Sequence, residues 1–342
     1  MFALCTHMLR RSGLAPHALA GLLWPLLAPV AHGQSVNWPP AGPERGYLNL
    51  QGFVDTVPDI VGPVDGSAKL TIFTEGNHFP VLLPLLFESF PPWCLRAGDC
   101  AIGPEEILVV TLPQTMIVET LLKGGVRLGN AVIPVGREHR VFPDVVMGGS
   151  GPLKRLAAAG IVESRAIVFA HHRGLGLLLS RTLFHIDDLA SFAAGVQRLV
   201  LASTSEPSPR EAYIATLRQL IGGEATARLL AREIPAFPGR MGIQHRDVPY
   251  ALLNDLADGG IIFAHLARYY ARSYPDRLRD VAVPEAAAFG RDIALAQVIG
   301  KRRSVVDAFV RFFLAMARTA YPDAGFSTLG GFAYGSIIDL SP

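Results

Sequence analysis

Residues 250–267 read YALLNDLADGGIIFAHLA, an amphipathic helix from Tyr250 that stops at Gly259 and Gly260 and hands on to the apolar strand IIFAHL. A helix broken by glycines and followed by a short buried strand is one unit of an alternating α/β chain. The same grammar recurs upstream. From Lys69, KLTIFTEGN has the β-branched and aromatic density of a strand, and Pro80 opens the helical run VLLPLLFESF. EEILVVTLP from Glu105 is a second strand, followed by a helix through Met116, Ile117, Leu121 and Leu122 that Gly124 and Gly125 end. VRLGNAVIPV comes next, then PDVVMGGSGPLKRLAAAG, a buried strand running into a Gly-Gly-Ser turn and a helix. The alternation predicts α/β layers with mostly parallel sheets.

Further along, RAIVFAHHRGLGLLLSR (Arg165 to Arg181) is long for one strand and carries Gly174 and Gly176 in its middle, as a passage between lobes would. LVLASTSEPSPREAYIATLRQLIGG gives strand and helix, with Ser208, Pro209 and Glu211 placed as cap, first-turn proline and capping-box acid. A second passage is expected after IIFAHL. RDIALAQVIG reads as a strand and SVVDAFVRFFLAMARTA as a helix, its start capped by Ser304 and Asp307. The Pro- and Gly-rich stretch 35–67 is expected to be an irregular arm.

The N-terminus has Arg10 and Arg11, the apolar run ALAGLLWPLLAPVA from Ala18 to Ala31, and small residues at Ala31 and Gly33. That is the order of a cleavable secretory signal, and Pro25 and Pro29 argue against a spanning helix. Residues 1–34 are therefore read as a signal peptide and the mature protein as periplasmic. Its removal takes two Arg and no acid, leaving 29 basic and 29 acidic residues. A neutral chain does not point to nucleic acid. Cys94 and Cys100 remain, read in an oxidising compartment as one disulfide closing a small loop, with two free thiols as the alternative. The remaining 308 residues exceed one core, so two lobes are expected.

LTIFTEGNHF, VVTLPQTMIVETLLKGG, PDVVMGGSGPLKRLAAAGIV, IVFAHHRGLGLLLSR and YALLNDLADGGIIFAHLA occur in the order in which the chain resembles the periplasmic molybdate-binding proteins of ABC importers and their type II solute-binding relatives. The resemblance runs roughly from Lys69 to Thr319. It implies a two-lobed type II periplasmic binding fold, each lobe a mostly parallel sheet flanked by helices, joined by two crossover strands. Lobe 1 would comprise 68–170 and 268–342, and lobe 2 would comprise 171–267. The ADAGI-type turn at Ala257 to Ile261 would lead into the strand returning to the first lobe. The implied protein is a monomer without catalysis or cofactor that closes on a small anionic solute and presents it to an inner-membrane ABC permease.

Helix N-termini suit an anion because their N–H groups are unpaired and carry the positive dipole end. Thr74, Gly76, Asn77 and His78 sit at one expected helix start, Gln114 and Thr115 at a second, Gly148, Gly149 and Ser150 at a third. In the family, small hydroxyl residues bind the oxyanion. Ser150 matches one such position, and Thr74 matches the other loosely, beside Glu75. From the second lobe His245 and Arg246 are candidates, Arg246 as a bidentate clamp. Turn and capping chemistry accounts equally for Ser150, and an ordinary ion pair with Asp247 is the alternative for Arg246. His171 and His172 are adjacent on a strand and point to opposite faces, which suits a hinge better than one metal. His78, His245 and His265 carry no ligand spacing. A rival function is an exported hydrolase using Ser150, whose surroundings do not form a G-x-S-x-G elbow. Another is a binding-protein-like sensor of a signalling system.

Overall fold

The structure is a computed structural model that describes residues 60–342, except 99, 129–130, 137–140, 235–236, 238–239, 241, 302, 328–333 and 342, together with short strands at 36–38, 47–48 and 54–55. The expected signal segment 1–34 lies outside the described residues.

The strands are β1 Val36–Trp38, β2 Tyr47–Leu48, β3 Val54–Asp55, β4 Ile60–Gly62, β5 Leu70–Glu75, β6 Ile107–Leu112, β7 Gly125–Leu128, β8 Ala131–Pro134, β9 Val145–Gly148 and β10 Val162–His171. They continue with β11 Leu175–Ser180, β12 Leu199–Val200, β13 Gly259–Phe263, β14 Leu278–Val281, β15 Asp292–Val298 and β16 Ile337–Asp339. The helices are α1 Phe79–Pro84, α2 Phe90–Ala97, α3 Gln114–Lys123, α4 Ser150–Ala158, α5 Leu189–Gly195, α6 Pro207–Ile221, α7 Gly223–Leu230, α8 Gln244–Leu253, α9 Ala264–Ser273 and α10 Ser304–Asp323.

Two sheets carry the fold. The larger has the order β1-β4-β6-β5-β9-β15-β10-β16, the smaller β12-β13-β11-β14, and β2–β3 and β7–β8 form separate hairpins. β5 and β6 are buried at every position, between helices on both faces, so neither shows the alternation of a half-exposed strand. One face of the large sheet packs α3 and α4 through Ile117, Val118, Leu121, Leu153 and Leu156. The other face packs α1, α2 and α10, where Phe169 lies 4.9 Å from Phe313 and 5.2 Å from Tyr321 between ring centroids. α3 ends at Gly124, whose φ of 86° is the left-handed C-cap expected of a glycine there. Cys94 and Cys100 are disulfide-bonded with their Cα atoms 5.3 Å apart, closing the loop after α2.

Several expectations need correction. The sheets are mixed, not mostly parallel. β5 pairs in parallel with β6 and β9, and β12 with β13, whereas β15, β10, β16, β11 and β14 pair antiparallel. Long-range return of the chain decides those pairings, and local alternation carries no information on it. The stretch 35–67 is not irregular throughout, because β1 and β4 add an antiparallel edge beyond β6. β13 does not return to the large sheet but stays in the small one between β12 and β11. The expected lobe limit at 267 falls inside α9, and β14 beyond it still pairs in the small sheet. α6 begins at Pro207 with Glu206 at its N-cap, two residues before the expected cap, and α10 begins at Ser304 after Arg303 without a side-chain cap.

The chain passes between the sheets twice, through His172–Gly174 on the way out and through 282–291 on the way back. These two passages press on each other. A Cβ on Gly174, where φ is 74°, would stand 2.2 Å from the Ala286 carbonyl oxygen, and one on Gly290 would stand 2.1 Å from that of His172. Beside them His171 Nδ1 lies 2.8 Å from Asp292 Oδ1.

Candidate functional site

A cleft of about 590 Å³ opens beside the two passages. Its walls come from the turn after β5 and from the starts of four helices. α3 contributes Gln114 and Thr115, α4 Ser150 and Gly151, α6 Ser208 and Pro209, and α8 Gln244 and His245. Two of those helices flank the large sheet and two belong with the small one. Each start brings a positive dipole end to one volume. α3 and α4 add first-turn N–H groups, whereas Pro207 and Pro209 leave α6 only the Ser208 N–H among its first three residues, and the first N–H of α8, that of Gln244, is taken by Glu206.

Local sequence explains the approach of the walls. Gly76 has no side chain, and the His245 ring occupies the space, so a Cβ there would be 1.9 Å from Cε1. Gln114 crosses the end of β9 in the same way, its Nε2 sitting 1.6 Å from where a Cβ of Gly148 would be. The turn itself is pinned by His265, whose Nε2 lies 2.6 Å from the Asn77 carbonyl oxygen.

Gly76, Asn77, Gln114, Thr115, Gly149, Ser150 and His245, all candidates from sequence, line the cleft. Thr74 and Arg246 do not. Alternate side chains of a strand point to opposite faces, so Glu75 meets the cleft and Thr74 turns into the core. There Thr74 Oγ1 lies 2.5 Å from His78 Nε2, and His78 Nδ1 lies 2.6 Å from the Tyr321 hydroxyl. Arg246 is buried one residue after His245, about 100° further round the helix. Asp247, the partner weighed for it from sequence, accepts the N–H groups of Gly242 and Ile243 and lies 3.6 Å from Arg240 Nε. His78, His245 and His265 do not converge, and among the described residues no three His, Cys, Asp or Glu side chains are placed to hold a metal.

Sequence reading missed Glu206, Tyr213, Gln244 and Phe263, which also line the cleft. Glu206 caps α6 by position, and its carboxyl accepts the Gln244 N–H at 2.5 Å, tying two helix starts together. The Tyr213 hydroxyl donates to Gln244 Oε1 at 2.7 Å. The glutamate before the prolines of SEPSP was the available signal, hidden by placing the helix start two residues late.

The interior is polar, and burial shifts its deepest ionisable groups toward their neutral forms. Burial pushes the Glu75 carboxyl up to about 7, against a hydrogen bond from the Asn77 side chain. Burial, with the Asp247 charge added, pushes Glu206 up to about 8 against the Gln244 bond. Burial lowers His245 to about 3, helped by the neighbouring Arg246 charge. Lys154, Arg291, Asp292 and Asp339 stand at the same walls. Three buried side-chain atoms of residues in these walls make no hydrogen bond: Gln114 Nε2, His245 Nε2 and Asn77 Oδ1. Each such group costs about 1–3 kcal/mol if left unpaired.

Mixed sheets joined by a double crossover beside a cleft define the two-lobed type II periplasmic binding fold. Among solved structures the chain is similar to the periplasmic molybdate-binding protein of Azotobacter vinelandii, at 13% identity over 77% of this chain and 100% of that one, with a TM-score of 0.53. Peb3 of Campylobacter jejuni aligns at 14% identity over 75% and 99% of the two chains with a TM-score of 0.49. The sulfate-binding protein SubI of Mycobacterium tuberculosis aligns at 15% over 75% and 85% with a TM-score of 0.47. No protein-family model and no curated protein sequence matches the chain.

Proposed function

We propose that this chain is the exported solute-binding component of an ABC importer, taking a small anion, an oxyanion or a small carboxylate, into the cleft and delivering it to a membrane permease. The observation that carries the reading is the meeting of four helix N-termini in one cleft that is also lined by Lys154 and Arg291. Neutral dipoles of this kind hold an anion without a counter-charge. Gly149 and Ser150 at the start of α4, Thr115 at the start of α3 and Gly76 and Asn77 after β5 are the proposed contacts. Likeness in fold to a molybdate-binding protein supports the same role. Residues 1–34 are proposed as the cleaved signal, checked by N-terminal sequencing of the exported protein. No helix among the described residues is long and apolar enough to cross a membrane.

The test is a thermal-shift screen of the mature protein against molybdate, tungstate, sulfate, phosphate, small carboxylates and amino acids. A ligand at a hundred times its Kd stabilises by about 2.7 kcal/mol through mass action. For a chain of this size that is an upward shift of about 4 °C. A flat response to the whole panel sinks the proposal.

A further inference from the structure

The cleft presents acceptors as well as donors, and a simple anion uses only the donors. Glu75 and Glu206 approach from the two sheets. Glu75 precedes Gly76, on which the His245 ring rests, and His245 follows Gln244, whose N–H is bonded to Glu206. Both carboxyls line the cleft and are linked through that contact, at 8% and 4% exposed. Among the described residues neither forms an ion pair with a Lys, Arg or His. Asn77 Oδ1, beside Glu75 in the same wall, is a third acceptor and has no donor. His245, 1% exposed, lines the cleft between them with its Nε2 unpartnered. A bare anion placed here would leave those acceptors idle and would suffer repulsion from either carboxyl once ionised. It would also underfill the space, since a tetrahedral oxyanion occupies on the order of 100 Å³, about three water volumes.

We propose that the solute is a small zwitterion whose acidic head rests on the starts of α3 and α4 and whose protonated amine sits between Glu75 and Glu206. This deepens the solute-binding reading above and rests on it. An ammonium has three donors, matching the two carboxyls and Asn77 Oδ1. Tyr213 and Phe263, whose rings meet edge to face at 5.5 Å, wall the space beside the amine and accept the apolar body of such a solute. The groups facing Glu75 are Asn77, Tyr213 and Tyr321, and those facing Glu206 are Gln244, Tyr213, Asp247 and Arg240. Burial lowers His245 to about 3 and keeps Tyr213 and Tyr321 neutral, and the other charged side chains of the cleft, Lys154, Arg291, Asp292 and Asp339, come from the walls of the large sheet, so Glu75 and Glu206 are the buried carboxyls that respond to an amine beside them. An ammonium draws both into their charged form, and the protons they held leave the protein.

The experiment is isothermal titration of the mature protein with matched pairs that differ by the amine alone: L-aspartate against succinate and L-phenylalanine against 3-phenylpropionate. Sulfate and molybdate serve as bare oxyanions. Titration at pH 6.5 in two buffers of different ionisation heat counts the protons. The expected result is that at least one zwitterion binds tenfold or more tighter than its deaminated partner and releases protons on binding. Glu75→Gln and Glu206→Gln should each erase that preference while retaining the affinity for the deaminated acid. Equal affinity within both pairs, tighter binding of a bare oxyanion, or proton uptake overturns the zwitterion while leaving the anion-binding reading standing. No heat and no thermal shift with any probe overturns both. The matched-pair comparison on the unaltered protein decides the matter even where a variant fails to fold.

Discussion

Glu206→Gln tests the electrostatic account of the cleft most directly. Glu206 is 4% exposed, and its folded-state pKa of about 8 lies above the 4.5 of an ordinary glutamate. The folded protein therefore holds a proton that the unfolded chain gives up. The resulting stabilisation is fully present below about pH 4.5 and is lost as pH rises through about 8. Between pH 5.5 and 7.5 the unfolded glutamate is ionised and the folded one mostly is not, so the slope approaches 1.36 kcal/mol per pH unit. Over those two units the unaltered protein loses roughly 2–3 kcal/mol through this one group. Glutamine keeps an oxygen to accept the Gln244 N–H and has no proton to lose. Urea unfolding at pH 5.5 and 7.5, on ligand-free protein, gives both stabilities, and comparing the two proteins cancels the opposing contribution of the buried histidines. The variant should gain roughly 2–3 kcal/mol on the parent over that interval, with an unchanged m-value. Stability curves that run parallel in pH would refute the claim that burial holds Glu206 protonated.

Gln114→Leu removes a buried amide nitrogen that has no hydrogen-bond partner. Unfolding of the ligand-free protein should show stability unchanged or raised by about 1 kcal/mol, while titration shows affinity for any anion reduced at least tenfold. A variant that is destabilised and binds normally contradicts the assignment. Gly174→Ala places a side chain at a φ of 74° and 2.2 Å from the Ala286 carbonyl oxygen. The backbone conformation alone costs about 1–2 kcal/mol, and the collision adds to it. Chemical denaturation should therefore show a loss above 2 kcal/mol, and a loss under 0.5 kcal/mol would mean that the two passages do not press together as described.

Legibility in the sequence followed the range of the interactions involved. LTIFTE and ILVVTL announced themselves as strands because both faces of each are buried, and Gly124 announced the end of α3 because only a left-handed residue closes a helix that way. The starts of α3 and α4 were legible as cleft residues for the same reason, since in open α/β sheets the helix following a strand begins at the cleft. Thr74 was misplaced because strand parity decides which of two neighbours faces the cleft, and the sequence does not carry that phase where every residue of β5 is buried. Arg246 was favoured over His245 for its chemistry, but the rotation of α8 about its axis, set by packing on β13, turned the arginine away.

By itself the sequence determined the local elements, the alternation that requires an α/β fold, and a cysteine pair close enough in the chain to join. These depend on side-chain periodicity, backbone preference and short loop closure, all of which act over a few residues. Only the tertiary structure decided that the sheets are mixed, that Glu75, Gln114, Glu206 and His245 share one cleft, and that burial pushes the Glu75 and Glu206 carboxyls up from the ordinary glutamate value. Those properties arise from desolvation and pairing between groups far apart in the chain. The charge of Glu206 is set by what covers it, and the N–H its carboxyl accepts comes from Gln244, 38 positions away.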